Sequence, residues 1–427
     1  MEGRPCPVFD YRLETLPNGV RIITEPIGSV RSAALGIWVA TGSRDERAAE
    51  SGAAHFIEHM LFKGTHTHTA AELAARMDAI GGQLNAFTTK ECTCFYVHAL
   101  DSHLMEGLDI LCGMFFDSRF AEEDVQTERG VILEEIGMYR DDPADVCSER
   151  LSAAVFHGTP LARPILGRRA TLERMTGEWL RGYQQAHYRP DRVIVALAGS
   201  YPPEVLEEIR HRFGAMEPAK TPKARPGHYR SAITLRRKAT EQNQLILAFP
   251  SLAAGDGRRF AMQLLSSILG GGMSSRLFQQ VRERQGLCYS IYTYGNCYAD
   301  TGLFGIATAQ SQETEERALA SIRAVVDEFL DHGAAPEELA RARELAKANV
   351  LMGLESTTAH MNHLARSLLE GTPVLSPDEI IAAYDAVTAE DVTDLARETF
   401  RWEVASLSVV GRVAPEEHYR RVLSVQA

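Results

Sequence analysis

Long apolar runs are missing from this 427-residue chain. None approaches the roughly 20 residues that a helix needs to cross a bilayer, so no helical membrane anchor is expected. Excess basic charge is missing too. With 45 Lys and Arg against 57 Asp and Glu, the formal net charge is −12, which argues against a nucleic-acid partner and suits a site that receives basic peptides. The seven cysteines, at 6, 92, 94, 112, 147, 288 and 297, are odd in number and scattered. They form no disulfide framework and fit a reducing compartment. Cys92 and Cys94 flank Thr93 in a strand-like run and so share a face; with no second pair nearby, a cysteine zinc site is not expected there. The N-terminal Met-Glu-Gly-Arg-Pro-Cys-Pro lacks the apolar core of a secretory signal and the Arg- and Ser-rich character of a transit peptide. A cytoplasmic protein that engages no membrane is the expectation.

The rest of the composition, 45% hydrophobic and 24% charged, is that of a globular protein, and the length suits two domains. Tyr11 to Thr24 reads as a hairpin turning at Asn18-Gly19, and Ala33 to Ala40 as a strand. An amphipathic helix from Ala70 to Ile80 stops at Gly81-Gly82, and a strand pair follows from Gln83 to Ala99. Helical patterns then dominate to about Tyr188, before a buried strand, Val193 to Gly199. Residues 214–229 hold three prolines and little apolar character, which reads as a linker between domains at 1–213 and 230–427.

Beyond that linker the pattern restarts. The stretch from Val193 to Glu207 has a counterpart from Val404 to His418, with Gly199 matching Gly411 and Pro203 matching Pro415 at an offset of 212. A duplicated domain explains this. The fold class expected is α+β, two similar domains that each pack helices on a mainly antiparallel sheet.

His55-Phe-Ile-Glu58-His59 carries the chemistry. Histidines at i and i+4 share a helix face and can close on one zinc ion, and Glu58 beside them could take a proton from a bound water. The H-x-x-E-H order is the inverzincin form of the zinc-protease signature. Residues 50–62 are mostly apolar around the whole helix, so the three polar side chains would be partly buried, which is costly without a partner. At the 212 offset, His55, Glu58 and His59 fall on Ser267, Gly270 and Gly271, so one metal site per chain is expected.

A catalytic zinc usually takes three protein ligands. His66, His68, Glu134 and Glu135 are the candidates for the third. His66 and His68 sit in a polar loop, as solvated histidines commonly do. On the helix predicted from Glu122 to Tyr139, Glu128 and Glu135 are seven residues apart and project from nearly one face, with Val131 and Ile132 between them, while Glu134 turns to solvent. Glu135 as ligand, with Glu128 orienting a ligating histidine, would account for that face as well as an ordinary acidic surface helix would.

Residues 52–65, Asn85-Ala-Phe-Thr88, residues 128–136, Ser274 to Phe278 and Arg282 to Tyr289 together resemble the pitrilysin and insulysin family of zinc peptidases. The likeness is to the mitochondrial processing peptidase type and its half-length bacterial relatives, and it covers the whole chain. It implies a zinc endopeptidase acting on extended or unfolded peptides in a chamber, with His55, His59 and Glu135 as ligands. Glu58 is then the base and Glu128 a supporting carboxylate, and Arg282 and Tyr289 assist at the substrate carbonyl. The peptide would lie along the strand at Asn85, Ala86, Phe87 and Thr88. Half-length members pair two chains, which implies a homodimer or, alternatively, a non-catalytic or heterodimer-dependent processing peptidase subunit. The processing peptidase's partner subunit has an extended glycine-rich loop, whereas Gly270-Gly-Gly272 is short here, which favours general peptide degradation as much as presequence processing.

Overall fold

A computed structural model describes residues 9–221 and 224–423. The N-terminal heptad read for a leader lies outside the described residues, as do positions 222 and 223 of the linker. Gly214 ends the helix Pro203–Gly214, and the remaining described linker residues form no helix or strand.

The first sheet holds β1 (Arg12–Thr15), β2 (Arg21–Pro26), β3 (Ser32–Val39), β4 (Gln83–Thr88), β5 (Thr93–Leu100) and β6 (Val193–Gly199), in the order β1-β2-β6-β3-β5-β4. Only β2 and β6 run parallel; the other neighbours are antiparallel. The β1–β2 turn needs a left-handed residue, which Gly19 supplies at φ 102°, while Asn18 Oδ1 accepts the Val20 N–H. The strand β4 closes one side of the sheet and leaves an edge that no other described strand pairs with.

The second sheet holds β7 (Ile233–Arg237), β8 (Asn243–Ser251), β9 (Ser290–Cys297), β10 (Gly302–Gln310) and β11 (Ser406–Gly411), in the order β7-β11-β8-β10-β9. Without β1, the first sheet has the same order and the same single parallel pair, β2–β6 against β7–β11. Gly199 and Gly411 end equivalent strands at φ 124° and 145°. The duplication is therefore visible in the pairing itself. The offset is not constant, however. Ala34, opposite Ala198, corresponds to Gln244, opposite Val410, which is 210 residues on rather than 212.

The compact units are not the two halves of the chain. One comprises residues 1–135, 163–225 and 353–376; the other comprises 136–162, 226–352 and 377–427. The departure from the contiguous division at 214–229 has a packing cause. One face of the first sheet presents Ile23, Ala34, Trp38, Cys94, Ala196 and Ala198, and the helix that buries it is Thr357–Glu370, through Met361, Leu364 and Ala365. Ser356 caps that helix by accepting the Ala359 N–H, and Gly371 ends it at φ 67°. In the second unit the matching face, with Ile246, Ala248, Ala307 and Val410, is covered by Pro143–Val155 through Cys147, Leu151 and Val155. Asp142 caps this helix, with Pro143 in its first turn. Each sheet thus takes one covering helix from the other half of the sequence. Among the described residues no helix is long and apolar enough to cross a membrane.

Candidate metal centre

The motif occupies a nine-residue helix, Ala53–Leu61, in the first unit. It starts at Gly52, at φ 98°, where a Cβ would stand 2.9 Å from the Leu166 carbonyl oxygen, so only glycine fits. A buried carboxylate holds this end: Glu46 accepts the N–H of Gly52 at 2.9 Å and of Ala54 at 3.0 Å. An anion at a helix N-terminus meets unsatisfied donors and the favourable end of the dipole. Burial nonetheless pushes Glu46 up to about 8, with the two backbone bonds pulling against it.

His55 is buried and His59 half-buried, with ring centres 4.7 Å apart. Their Nε2 atoms stand 3.6 and 3.7 Å from the same oxygen, Oε2 of Glu135. That carboxylate comes from the long helix Glu122–Asp141. These separations are too long for hydrogen bonds. Glu135 Oε2 is buried without any hydrogen-bond partner, and so is His55 Nδ1. Zinc bonds of about 2.0–2.2 Å at tetrahedral angles place ligand atoms roughly 3.3–3.6 Å apart, so the three side chains fit one such ion. They are the one group of three or more potential ligands found among the described residues.

Burial, and then the neighbouring His59, lowers the His55 pKa to about 3. This keeps the imidazole in the neutral form that binds metal. Burial also raises the Glu135 pKa, against the pull of His59.

The second carboxylate of the long helix approaches His59 from behind. Glu128 Oε2 lies 3.1 Å from His59 Nδ1, and its Oε1 is 2.6 Å from Lys63 Nζ. Val125, Glu128, Ile132 and Ile136 make the inward face of this helix. Val131, expected between the two glutamates, is instead 47% exposed: it lies three residues, about 300° of helical rotation, from Glu128 and falls off the stripe. Glu134 is exposed.

Glu58 accepts a hydrogen bond of 2.5 Å from the Thr88 hydroxyl, and burial raises its pKa, opposed by that bond. Along β4, Asn85 is exposed and bonds its own chain at the Ala86 N–H. Phe87, on the face opposite Thr88, packs edge-on against Trp38 at 5.3 Å. His66 and His68 stay apart from the group: the His66 N–H donates to the Asp117 carbonyl, and the His68 ring contacts Thr67 and Arg76. Arg282 and Tyr289 belong to the second unit, the guanidinium 5.7 Å from the phenol ring centre. Tyr289 is 72% exposed. Sequence reasoning missed Glu46, which carries no periodic signal, and Lys63, whose place one turn beyond His59 could have suggested a partner for Glu128.

The chain matches the family Insulinase (Peptidase family M16) over residues 21–169 and the Peptidase M16 inactive domain over 174–345. It is 40% identical to an uncharacterized zinc protease of Streptomyces coelicolor across 96% of this chain and 91% of that one. The chain belongs to the M16 peptidase family. A zinc protease of Bacillus subtilis is also 40% identical, over 92% of this chain and 96% of the relative. Among solved structures, a protease from Helicobacter pylori shares the M16 fold at TM-score 0.86 and 19% identity, covering 94% of this chain and 99% of that one. An M16 inactive-domain protein from Pseudomonas fluorescens superposes at TM-score 0.88 and 20% identity, over 95% of this chain and 98% of its own. The metal group found among the described residues, His55, His59 and Glu135, lies outside the inactive-domain match at 174–345 and inside the match at 21–169.

Proposed function

We propose that this chain is a zinc-dependent endopeptidase that hydrolyses extended or unfolded peptides. The observation that carries the reading is the convergence of His55 Nε2, His59 Nε2 and the orphaned Glu135 Oε2 within 4.8 Å of one another. These three residues hold one zinc ion per chain. When bound, zinc supplies Lewis acidity toward the scissile carbonyl and makes water a stronger acid.

Glu58, one turn along from His55, takes the proton of the attacking water and returns it to the leaving amine. Glu128 fixes the tautomer of His59 by accepting its Nδ1–H, and Lys63 holds Glu128 in turn. The peptide extends β4 through the edge that no other described strand pairs with, reading main chain more than side chains, with Asn85, Ala86, Phe87 and Thr88 as the strand it meets. In the dimer, Tyr289 of one chain donates its hydroxyl to the oxyanion developing at the zinc of the other, with Arg282 beside it. The working form is a dimer in the cytoplasm, and basic peptides suit its net charge of −12.

A second reading, a subunit that binds peptides and cleaves only with a different partner chain, draws on the inactive-domain match over 174–345. One experiment separates them. Cleavage of a quenched basic peptide of about twenty residues is followed with the purified chain. Activity that a chelator abolishes, and that Glu58→Gln lowers roughly 100- to 10,000-fold with its zinc retained, supports the endopeptidase. A zinc-loaded wild type with no activity supports the partner-dependent subunit.

A further inference from the structure

Thr88 was read as part of the strand that binds substrate, yet its hydroxyl faces the other way. As the last residue of β4 it pairs with Thr93, the first of β5, on the side of the sheet where the motif helix packs. Three hydroxyl and carbonyl groups line up behind Glu58. Thr88 Oγ1 is 2.5 Å from Glu58 Oε2 and 3.5 Å from Thr93 Oγ1, and Thr93 Oγ1 donates to the Thr41 carbonyl at 2.9 Å. Thr41 and Thr93 are fully buried.

A hydroxyl has one proton to give. That of Thr93 is committed to the Thr41 carbonyl, so Thr93 can only accept from Thr88. Thr88 then chooses between an acceptor at 3.5 Å and a carboxylate at 2.5 Å, and the carboxylate wins. Its donor is therefore spent on Glu58 and is not free for a peptide. One oxygen of Glu58 is tied and the other left open, on a side chain that otherwise has three rotatable bonds.

We propose that Thr88 is a positioning residue for Glu58, fixing one carboxylate oxygen so that the other faces the reacting atoms, from the same strand along which the peptide is laid. Peptide alignment and base alignment then share one piece of backbone. The assignment rests on the endopeptidase reading above.

The test compares Thr88→Val, which keeps the branched shape without the hydroxyl, with Thr88→Ser, which keeps the hydroxyl. Both are measured beside wild type and Glu58→Gln, in the zinc-loaded full chain with the quenched peptide. For Thr88→Val, kcat should fall roughly 10- to 100-fold while KM changes less than about twofold. Zinc affinity by chelator competition and the melting temperature should stay at wild-type values, and Thr88→Ser should recover kcat to within about threefold of wild type. In the Glu58→Gln background, Thr88→Val should cost nothing further, because the group it positions is gone.

Wild-type kcat in Thr88→Val beside an inactive Glu58→Gln overturns the role of Thr88 and leaves the peptidase reading intact. A parallel loss of zinc affinity or melting temperature that Thr88→Ser does not repair shows a structural threonine and also overturns it. Equal activity of wild type and Glu58→Gln overturns both.

Discussion

The helix that follows β3 and the helix that follows β8 hold the same station in two copies of one frame, and they are anchored in opposite ways. Arg259–Gly270 buries Ala261, Met262, Leu264, Leu265, Ile268 and Leu269, and it touches its edge strand through a neutral bond between Ser266 and Thr293 of β9. Ala53–Leu61 is shorter and is held by polar side chains as well as by packing, through Glu46 accepting N–H groups at its start and Lys63 paired with Glu128 beyond its end. Its edge strand reaches it through a threonine bonded to a carboxylate. For any offset from 210 to 212, His55, Glu58 and His59 fall within residues 265–271, which contain no His, Cys, Asp or Glu. Apolar packing is enough to hold a helix. Holding imidazoles in fixed orientation takes polar partners as well, and only the first copy has them.

That contrast can be attacked directly. Converting the first copy toward the second by His55→Ser should have the largest effect, removing stoichiometric zinc and at least roughly 1,000-fold of activity; metal analysis alongside peptide cleavage reads both. Next in size is the helix contributed to the first sheet. Met361 is fully buried against Trp38 and its neighbours, so Met361→Ala should cost about 2–5 kcal/mol of unfolding free energy in a denaturant titration. Glu46→Gln leaves one of the two buried N–H groups facing an amide donor. A loss of roughly 1–3 kcal/mol in stability is expected, together with weaker zinc binding in a chelator competition.

The smallest effect concerns His360, whose Nδ1 is 2.9 Å from Glu25 Oε2. Burial opposes its charge, but Glu25 and the Leu354 carbonyl bring the net shift upward. A raised folded pKa means the pair stabilises fully below the ordinary histidine value near 6.5 and is lost as pH rises through the folded value. His360→Gln should therefore melt below wild type at acidic pH, by roughly 1 kcal/mol or less in a half-screened pair, and the gap should close as pH rises.

The sequence exposed what depends on neighbours along the chain. Asn18-Gly19 marks its hairpin because the turn demands a positive φ, and Gly199 and Gly411 betray the repeat for the same reason. His55 and His59 are legible as a pair because one helical turn joins them, whereas spacing left Glu135 one candidate among four and only the family resemblance singled it out. What stayed hidden is what distance in sequence conceals. No pattern ties Glu46 to the helix it caps, or Thr88 to Glu58, 30 residues apart. Helix Thr357–Glu370 reads as amphipathic, but nothing in its own sequence says that its apolar side meets β3 and β6 rather than strands of its own half.

That last feature bears on how the protein is made. A chain emerging from the ribosome N-terminus first has all six strands of the first sheet once Gly199 is out, yet the helix that shields one face lies more than 150 residues further on. Synthesis at about 5–20 residues per second leaves that face bare for roughly ten to thirty seconds. The nascent first unit therefore carries an apolar surface through much of translation, in the state where sheets most readily associate, and a fragment ending at the linker would never lose it.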